Sequence, residues 1–325
     1  MTLVEVTTPA LARQFLLLPV RLYQHTPNWI RSLDADVESV FDREKNKTFR
    51  HGQCIRWILI DTAGVTIGRV AAFINDKNVL KGNKQPTGGM GFFECIQDQA
   101  AAFRLFDACR DWLAERGMQA MDGPINFGNR DRWWGLLVEG FQYEPNYQTN
   151  YNFPYYQQFF EAYGFQLYFN QLTYLRKIKD PLHPRLAEKS ELLSHDPDYS
   201  FRYLKKSEFH LLAGYLRSVY NRAWANRAEN PELSQAQADQ IVKQMKPILD
   251  ERLIYFGFYK DDPIAFFISL PELNQIFKHV NGKMNWWGKI KFAYHLFIAK
   301  TNTKAFGILF GVVPEHQGKG ADGAI

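Results

Sequence analysis

The last twenty residues, Phe306-Gly-Ile-Leu-Phe-Gly-Val-Val-Pro-Glu-His-Gln-Gly-Lys-Gly-Ala-Asp-Gly-Ala-Ile325, constrain this chain more than any other stretch. The apolar run from Phe306 to Val313 reads as a buried strand, and Pro314, with no N–H for a ladder, stops it. His316-Gln317-Gly318-Lys319-Gly320-Ala321 then predicts a glycine-rich turn that opens a helix. Gly318 and Gly320 permit left-handed dihedrals and close backbone approach, so successive N–H groups can converge on an anion at the helix N-terminus. The helix macrodipole favours negative charge at the same place. That is the layout of a phosphate cradle.

Two better-known cradles do not fit. Gly318, Gly320 and Gly323 satisfy Gly-x-Gly-x-x-Gly, but the dinucleotide fingerprint also needs an acidic residue about twenty positions on, and the sequence stops first. No Gly-x-x-x-x-Gly-Lys-Ser/Thr occurs here. Val312 to Ala321 instead resembles motif A of the GNAT acyl-CoA N-acyltransferase superfamily. The family's Gln/Arg-x-x-Gly-x-Gly/Ala pattern is matched in part: Gln317 directly precedes Gly318, and His316 stands where a Gln or Arg is usual. The resemblance implies a strand that splays from its neighbour to receive the pantetheine arm, N–H groups around Val313 that polarise the thioester carbonyl, and N–H groups of Gln317 to Ala321 that hold the pyrophosphate. The implied cofactor-binding residues are Val312, Val313, Gln317, Gly318, Lys319, Gly320 and Ala321, and the implied donor is acetyl-CoA or another acyl-CoA. An ordinary strand–turn–helix with a solvated basic loop is the competing reading of the same residues.

Composition narrows the class further. At 325 residues and 46% hydrophobic content, two domains with separate cores are expected. The three cysteines, Cys54, Cys95 and Cys109, are odd in number and lack metal-ligand spacing, which predicts a reducing, cytoplasmic setting with no bound metal and no thiol nucleophile. Met1-Thr-Leu-Val-Glu-Val carries no basic leader, and no run of eighteen apolar residues follows, so neither a signal peptide nor a membrane span is expected. A net charge of +5 is modest and dispersed, making nucleic acid an unlikely partner.

In chain order, a short strand from Leu3 to Thr7 precedes a helix that starts at Thr8-Pro9 and runs to about His25. The polar stretch from Asp34 to Lys47 reads as a solvated helix or loop face. Ile55–Asp61 and Thr66–Ile74 predict a hairpin turning at Ala63-Gly64. A strand over Gly91–Ile96, a helix capped by Asp98 and ended by Gly117, and a strand near Gln119–Met121 follow. Asn152–Phe165 resembles the family's motif B, in which a helix ends in Tyr-x-x-x-Gly-Phe before the last strands, one of which Gln171–Ile178 would supply.

This first module departs from the family where chemistry matters. Gln97-Asp98-Gln99-Ala100-Ala101 replaces the glycine turn and sets Asp98 where a pyrophosphate needs donors. Phe160 holds the place, four before Gly164, of the family's frequent general-acid tyrosine. Tyr156, one turn earlier on the same face, is the candidate substitute for that tyrosine, with a packed aromatic as the stronger expectation. In Gly123–Gly135, the side chains of Asn126, Asn129, Arg130 and Arg132 beside Trp133 and Trp134 suit either a pocket wall for an anionic or planar ligand or a packed connector.

Asp180-Pro181, His183-Pro184 and Asp196-Pro197 mark a linker. The pattern then restarts: a strand at Phe201–Leu204, a helix from Ser207 to about Ala225, a second from Ser234, whose Ser-x-x-Gln form predicts a capping box, and strands over Arg252–Tyr259 and Pro263–Leu270. Between them and the last strand lies a basic insertion, Lys278 to Lys304, with Trp286 and Trp287. It suits a membrane surface or a partner, with an amphipathic helix packed on its own domain as the simpler expectation. The expected fold is therefore α/β with mixed sheets in two tandem GNAT-like modules: residues 1–180 with a degenerate phosphate loop, a linker over 181–198, and 199–325 ending in motif A. The sequence stops about one turn into the helix after the cradle, where the family continues with further strands, so a truncated second module is expected.

The resemblance implies an N-acyltransferase, most often of acetyl groups, acting on a small-molecule or peptide amine. The catalytic residues are not identified by it. Glu272, just past a strand, is the one base position to name, and a surface role is expected for it; His316 is expected to shape the turn. Two rivals stay open: a non-catalytic GNAT-fold protein that binds a ligand or partner, and an aminoacyl-tRNA-dependent transferase of the tandem type.

Overall fold

The computed structural model describes residues 1–129, 131–224 and 232–325. The chain divides into two compact units, Met1–Leu172 with Leu273–Thr301, and Thr173–Glu272 with Asn302–Ile325.

The first unit runs β1 (Thr2–Glu5), α1 (Pro9–Leu22), α2 (Asp34–Phe41), β2 (Gly52–Ile60), β3 (Thr66–Asn75), β4 (Thr87–Cys95), α3 (Gln99–Ala114), β5 (Ala120–Asp122) and α4 (Tyr155–Tyr163). Its sheet has the order β1-β2-β3-β4-β5, antiparallel except for the parallel pair β4–β5. Local chemistry sets the boundaries. Thr8 accepts from the Leu11 N–H with Pro9 in the first turn of α1, Asp98 accepts from the N–H groups of Ala100 and Ala101 at the start of α3, and Gly164 closes α4 in the left-handed region. Ala102, Leu105, Phe106, Cys109 and Leu113 press one stripe of α3 onto one sheet face, and Phe15 of α1 with Val37 and Val40 of α2 cover the other.

A bulge in β4 determines which side chains reach which face. Arg69 pairs with Glu94 and Ala71 with Gly91, so β4 uses one more residue than β3 over the same span, and Phe92 takes φ +53°. The extra residue reverses the alternation. Met90, Phe93 and Cys95 share the core under α3, while Phe92 joins the core under α1. β5 pairs with β4 from Thr87 to Gly89, and the chain beyond β5 stays beside β4, with the Ile125 N–H donating to the Met90 carbonyl at 2.8 Å.

The second unit repeats this order: α5 (Pro184–Ser194), β6 (Tyr199–Tyr203), α6 (Leu212–Trp224), α7 (Gln235–Met245), β7 (Ile254–Tyr259), β8 (Asp262–Pro271), β9 (Ala305–Val312) and α10 (Ala321–Ala324). The sheet β6-β7-β8-β9 is antiparallel throughout, as is β1-β2-β3-β4. Ser234 and Gln237 form the expected capping box of α7. The stretch read as a linker contains α5, started by Pro184. The expected end of α6 at Ala225 lies outside the described residues.

Three local expectations are corrected. Asp34–Phe41 is a helix with Val37 and Val40 buried, because apolar residues three apart give the acidic run a core face. Gln171–Ile178 is not a strand: no neighbouring strand offers it a ladder, and Leu172, Tyr174 and Ile178 are exposed. The insertion, expected to pack on its own domain, groups with the first unit instead. Its α8 (Asn274–Phe277) sets Phe277 and then Val280 against Leu33, Asn274 donates to the Pro145 carbonyl at 2.8 Å, and Lys278 pairs with Glu144 at 3.0 Å.

At Gly91, beside the bulge, an added Cβ would collide with the backbone carbonyl oxygen of Ile125. Gly91→Ala should lower unfolding stability by about 1–3 kcal/mol or more, measured by urea denaturation. Val65→Ala, on an exposed side chain at the β2–β3 turn, should stay within about 0.5 kcal/mol of wild type.

Candidate active site

In the second unit the glycine turn is built as its composition requires. β9 ends at Val312, Pro314–His316 forms a single 3-10 turn, Gly318 and Gly320 take φ +71° and +108°, and α10 begins at Ala321. Any Cβ at position 320 would press on the Lys189 carbonyl of α5, so glycine is required there by space as well as by φ. The hydrogen bonds sort the expected donors. The Val313 N–H is taken by the Ile264 carbonyl at 2.9 Å and the Gln317 N–H by the Pro314 carbonyl at 3.2 Å. Neither is available to a ligand, so of the donors expected around Val313 and from Gln317 to Ala321 these two are spent within the chain. The Gln317 side chain donates back to the Val312 carbonyl at 2.8 Å and so braces the turn. Among the described residues, no acceptor meets the N–H groups of Gly318, Lys319, Gly320 and Ala321.

His316 stiffens the turn from below. Its Nδ1 is 2.7 Å from the Tyr199 hydroxyl, and its ring lies against Tyr199 and Tyr259. Burial first, then the charge of Lys319, holds it below the usual histidine range. It is neutral at pH 7 and brings no charge to an anion.

The first unit contains a polar cluster that sequence reading missed. Pro19 inside α1 has no N–H, so the Phe15 carbonyl lacks its helical partner. Arg69 of β3 fills that vacancy, donating to Phe15 O at 2.8 Å with its guanidinium over the Phe15 ring. A second arm of Arg69 lies 3.6 Å from Glu94, which the bulge has turned to this side. Glu94 Oε2 accepts from the hydroxyls of Tyr23 at 2.7 Å and Tyr156 at 2.9 Å, and Tyr156 in turn accepts from the Cys95 N–H. Burial raises the Glu94 carboxyl above its ordinary range, and Arg69 and the two hydroxyls partly restore it. Burial, then Glu94, raises both phenols further, so they keep their protons. Arg69, Glu94 and Tyr156 of the cluster line a cleft shared with Trp29, Arg31, Trp133 and Asn152, and Tyr23 lies outside its lining.

The remaining sequence candidates separate. Phe160 is packed in the core under α3, whereas Tyr156, named as the substitute for the general-acid tyrosine but expected mainly to pack, both packs there and is a hydrogen-bonding member of the cleft. Glu272 is 2% exposed, with its carbonyl accepting from the Asn302 side chain, so the expected surface role is corrected: its flanking backbone is drawn into the β8–β9 end. The aromatic loop divides. Trp133 faces the Glu94 cleft, Asn126 and Trp134 face a second, smaller cleft, and Arg130 lies outside the described residues. Asp98 caps α3 with its carboxylate. Burial pushes the Cys95 thiol up to about 12, which leaves no thiolate near neutral pH. Among the described residues no group of His, Cys, Asp and Glu is arranged to hold a metal ion.

No family model matches the chain. It is 25% identical over 296 residues to "Bacterial ceramide synthase" of Caulobacter vibrioides, covering 91% of this chain and 76% of that protein. It is 24% identical over 306 residues to "Protein YghO" of Escherichia coli, covering 94% and 77%. Similar solved structures include a GCN5-related glucosamine N-acetyltransferase region of a fungal multi-domain β-N-acetylglucosaminidase, with TM-score 0.49 and 11% identity, where the match covers 99% of this chain and 32% of that one. Another is AAC(6')-Iy in complex with a CoA bisubstrate analogue, with TM-score 0.33 and 14% identity over 54% of this chain and 97% of that one. Strand order, the parallel β4–β5 pair and the helix following β4 are the arrangement that the resemblance to the GNAT superfamily implies.

Two titrations follow. Glu94 has a raised pKa when folded, so its contribution is fully present below the unfolded value near 4.5 and is lost as pH rises through the folded one. The stability of wild type relative to Glu94→Gln should therefore fall as pH rises above about 4.5, read by urea denaturation at each pH. His316 has a lowered pKa, so its contribution is lost as pH falls from 6.5 toward the folded value, and His316→Gln should flatten that acid limb. Removing Arg69, as Arg69→Met, leaves Glu94 buried without its cation and should cost about 3–5 kcal/mol at pH 7.

Proposed function

We propose that this protein is an acyl-CoA-dependent N-acyltransferase whose second unit binds the donor's diphosphate at Gly318–Ala321. The observation that carries this reading is the run of N–H groups there with no acceptor among the described residues, at a position where Gly320 is required by both dihedral and space. At the corresponding point of the first unit, after β4, the Asp98 carboxylate already accepts from the starting N–H groups of α3, which supports placing the donor on the second unit.

Amide formation makes definite demands. The acceptor must lose its ammonium proton before nitrogen forms the C–N bond, and as the C–S bond breaks the departing thiolate takes up the second proton that nitrogen sheds. Glu94 has the raised proton affinity suited to receiving the first, and Tyr156 and Tyr23 keep phenolic protons at neutral pH. The first unit's cleft therefore supports an amine-binding role. The relative's name, ceramide synthase, adds an acceptor class, since a ceramide is the N-acyl amide of a long-chain amino alcohol. Long-chain amino alcohols and long-chain acyl-CoA thus join acetyl-CoA and simple amines as the substrates to test.

Thiol release from acetyl-CoA and a long-chain acyl-CoA should depend on added amine. Gly318→Asp and Gly320→Asp, which set a carboxylate against the diphosphate, should weaken CoA binding by about a hundredfold, read by calorimetry. Glu94→Gln should leave that binding unchanged and lower turnover by about 10²–10⁴. CoA binding that survives both aspartates would remove the cradle; CoA binding without amine-dependent thiol release would favour the non-catalytic reading.

A further inference from the structure

Within the inserted segment, α9 (Trp286–Ala293) runs on into a wider π-type turn, Tyr294–Ile298. One side of it is anchored: Phe292, with Met284 just before the helix, packs against Leu33, Phe277 and Val280 of the first unit. Asn285 caps its start by accepting from the Gly288 N–H, and Gly288 is buried because a Cβ would strike the Lys283 carbonyl. The opposite side is bare. Trp286, Trp287, Ile290, Tyr294, Phe297 and Ile298 are 42–72% exposed. At 3.6 residues per turn Trp286, Trp287 and Ile290 share one face of α9, and the wider turn carries Tyr294, Phe297 and Ile298 on from its end.

Within the segment's own sequence, beyond the Lys278–Glu144 pair, the charge is of one sign. No Asp or Glu occurs between Glu272 and Glu315, whereas Lys283, Lys289, Lys291 and Lys300 are all exposed and make no ion pair among the described residues. Helical periodicity sets Lys289 on one flank of this face of α9 and Lys291 on the other, where long ammonium stems can lie beside a buried apolar face and keep their heads in the headgroup layer. The combination of tryptophan and tyrosine with flanking lysines and no acid is that of a helix lying in an anionic lipid interface. No helix among the described residues is long and apolar enough to cross a membrane, so the contact is one of lying on the surface.

We infer that α9 and its π-type extension seat the protein on anionic lipid bilayers, with the Trp286–Ile298 stripe in the headgroup–acyl boundary and the lysines on lipid phosphates. This is independent of the acyl-transfer reading. The full chain should sediment with phosphatidylglycerol-containing vesicles, bind pure phosphatidylcholine at least tenfold more weakly, and release as salt rises from about 0.05 to 0.5 M. Lys289→Glu with Lys291→Glu, which changes only exposed side chains, should weaken sedimentation more than about tenfold with an unchanged melting curve. Trp286→Ser with Trp287→Ser should do the same and abolish any blue shift of tryptophan emission on vesicle addition. Wild type left in the supernatant, variants that sediment as well as wild type, or equal binding to both lipids would overturn the inference. So would a wild-type dimer, dispersed by the tryptophan changes and indifferent to vesicles, which would put a second copy on the stripe.

Discussion

Burying Arg69 and Glu94 together obliges the first unit to find partners for two ions out of water, where an isolated charge costs several kcal/mol. Most of that unit's irregularities are the partners it finds. Pro19 interrupts the α1 ladder and frees the Phe15 carbonyl for Arg69; the β4 bulge brings Glu94 to the same side; Tyr23 ends α1 and Tyr156 opens α4 with hydroxyls aimed at the carboxylate. A proline within a helix, a left-handed Phe92 and a buried acid would each be unfavourable alone. Together they hold a carboxylate of raised proton affinity beside two phenols in an open cleft, the kind of arrangement that collects at functional sites.

The second unit answers a different constraint with the same strand order. Its cradle has few elements: one strand end, two left-handed glycines and four N–H groups without acceptors. The neighbouring donors of Val313 and Gln317 are spent within the chain, so the anion-binding capacity is narrower than the motif suggests and better defined. In the first unit a carboxylate occupies the equivalent helix start. Two copies of one architecture thus present opposite electrostatics at one topological point, an uncommitted positive end in one and a neutralised end in the other.

Features set by neighbours in sequence were legible without coordinates. The glycine turn, Pro9 at its helix start, the capping box at Ser234, the Gly64 hairpin and the Asp98 cap all depend on residues within a few positions. What escaped reading depends on distant partners. Glu94 sat in an apolar strand with nothing local to mark it, because its significance comes from Arg69, Tyr23 and Tyr156 and from a bulge that shifts its face. Glu272 looked like a surface acid because burial at a strand end is fixed by Asn302 and Lys304, thirty residues away. Gln171–Ile178 had strand composition but no ladder partner, and Leu273–Thr301 follows the apolar surface of Leu33, which its place in the sequence could not reveal.

The proposed diphosphate site is the run Gly318–Ala321. The most direct test is a 15N-glycine spectrum of the full chain, with Gly318 and Gly320 assigned by substitution, recorded while CoA is added. Saturable shifts of those two amides, with Gly117 at the far end of α3 and Gly64 at the β2–β3 turn unmoved, are the predicted result. Saturation that moves other glycines and leaves Gly318 and Gly320 in place would contradict the account.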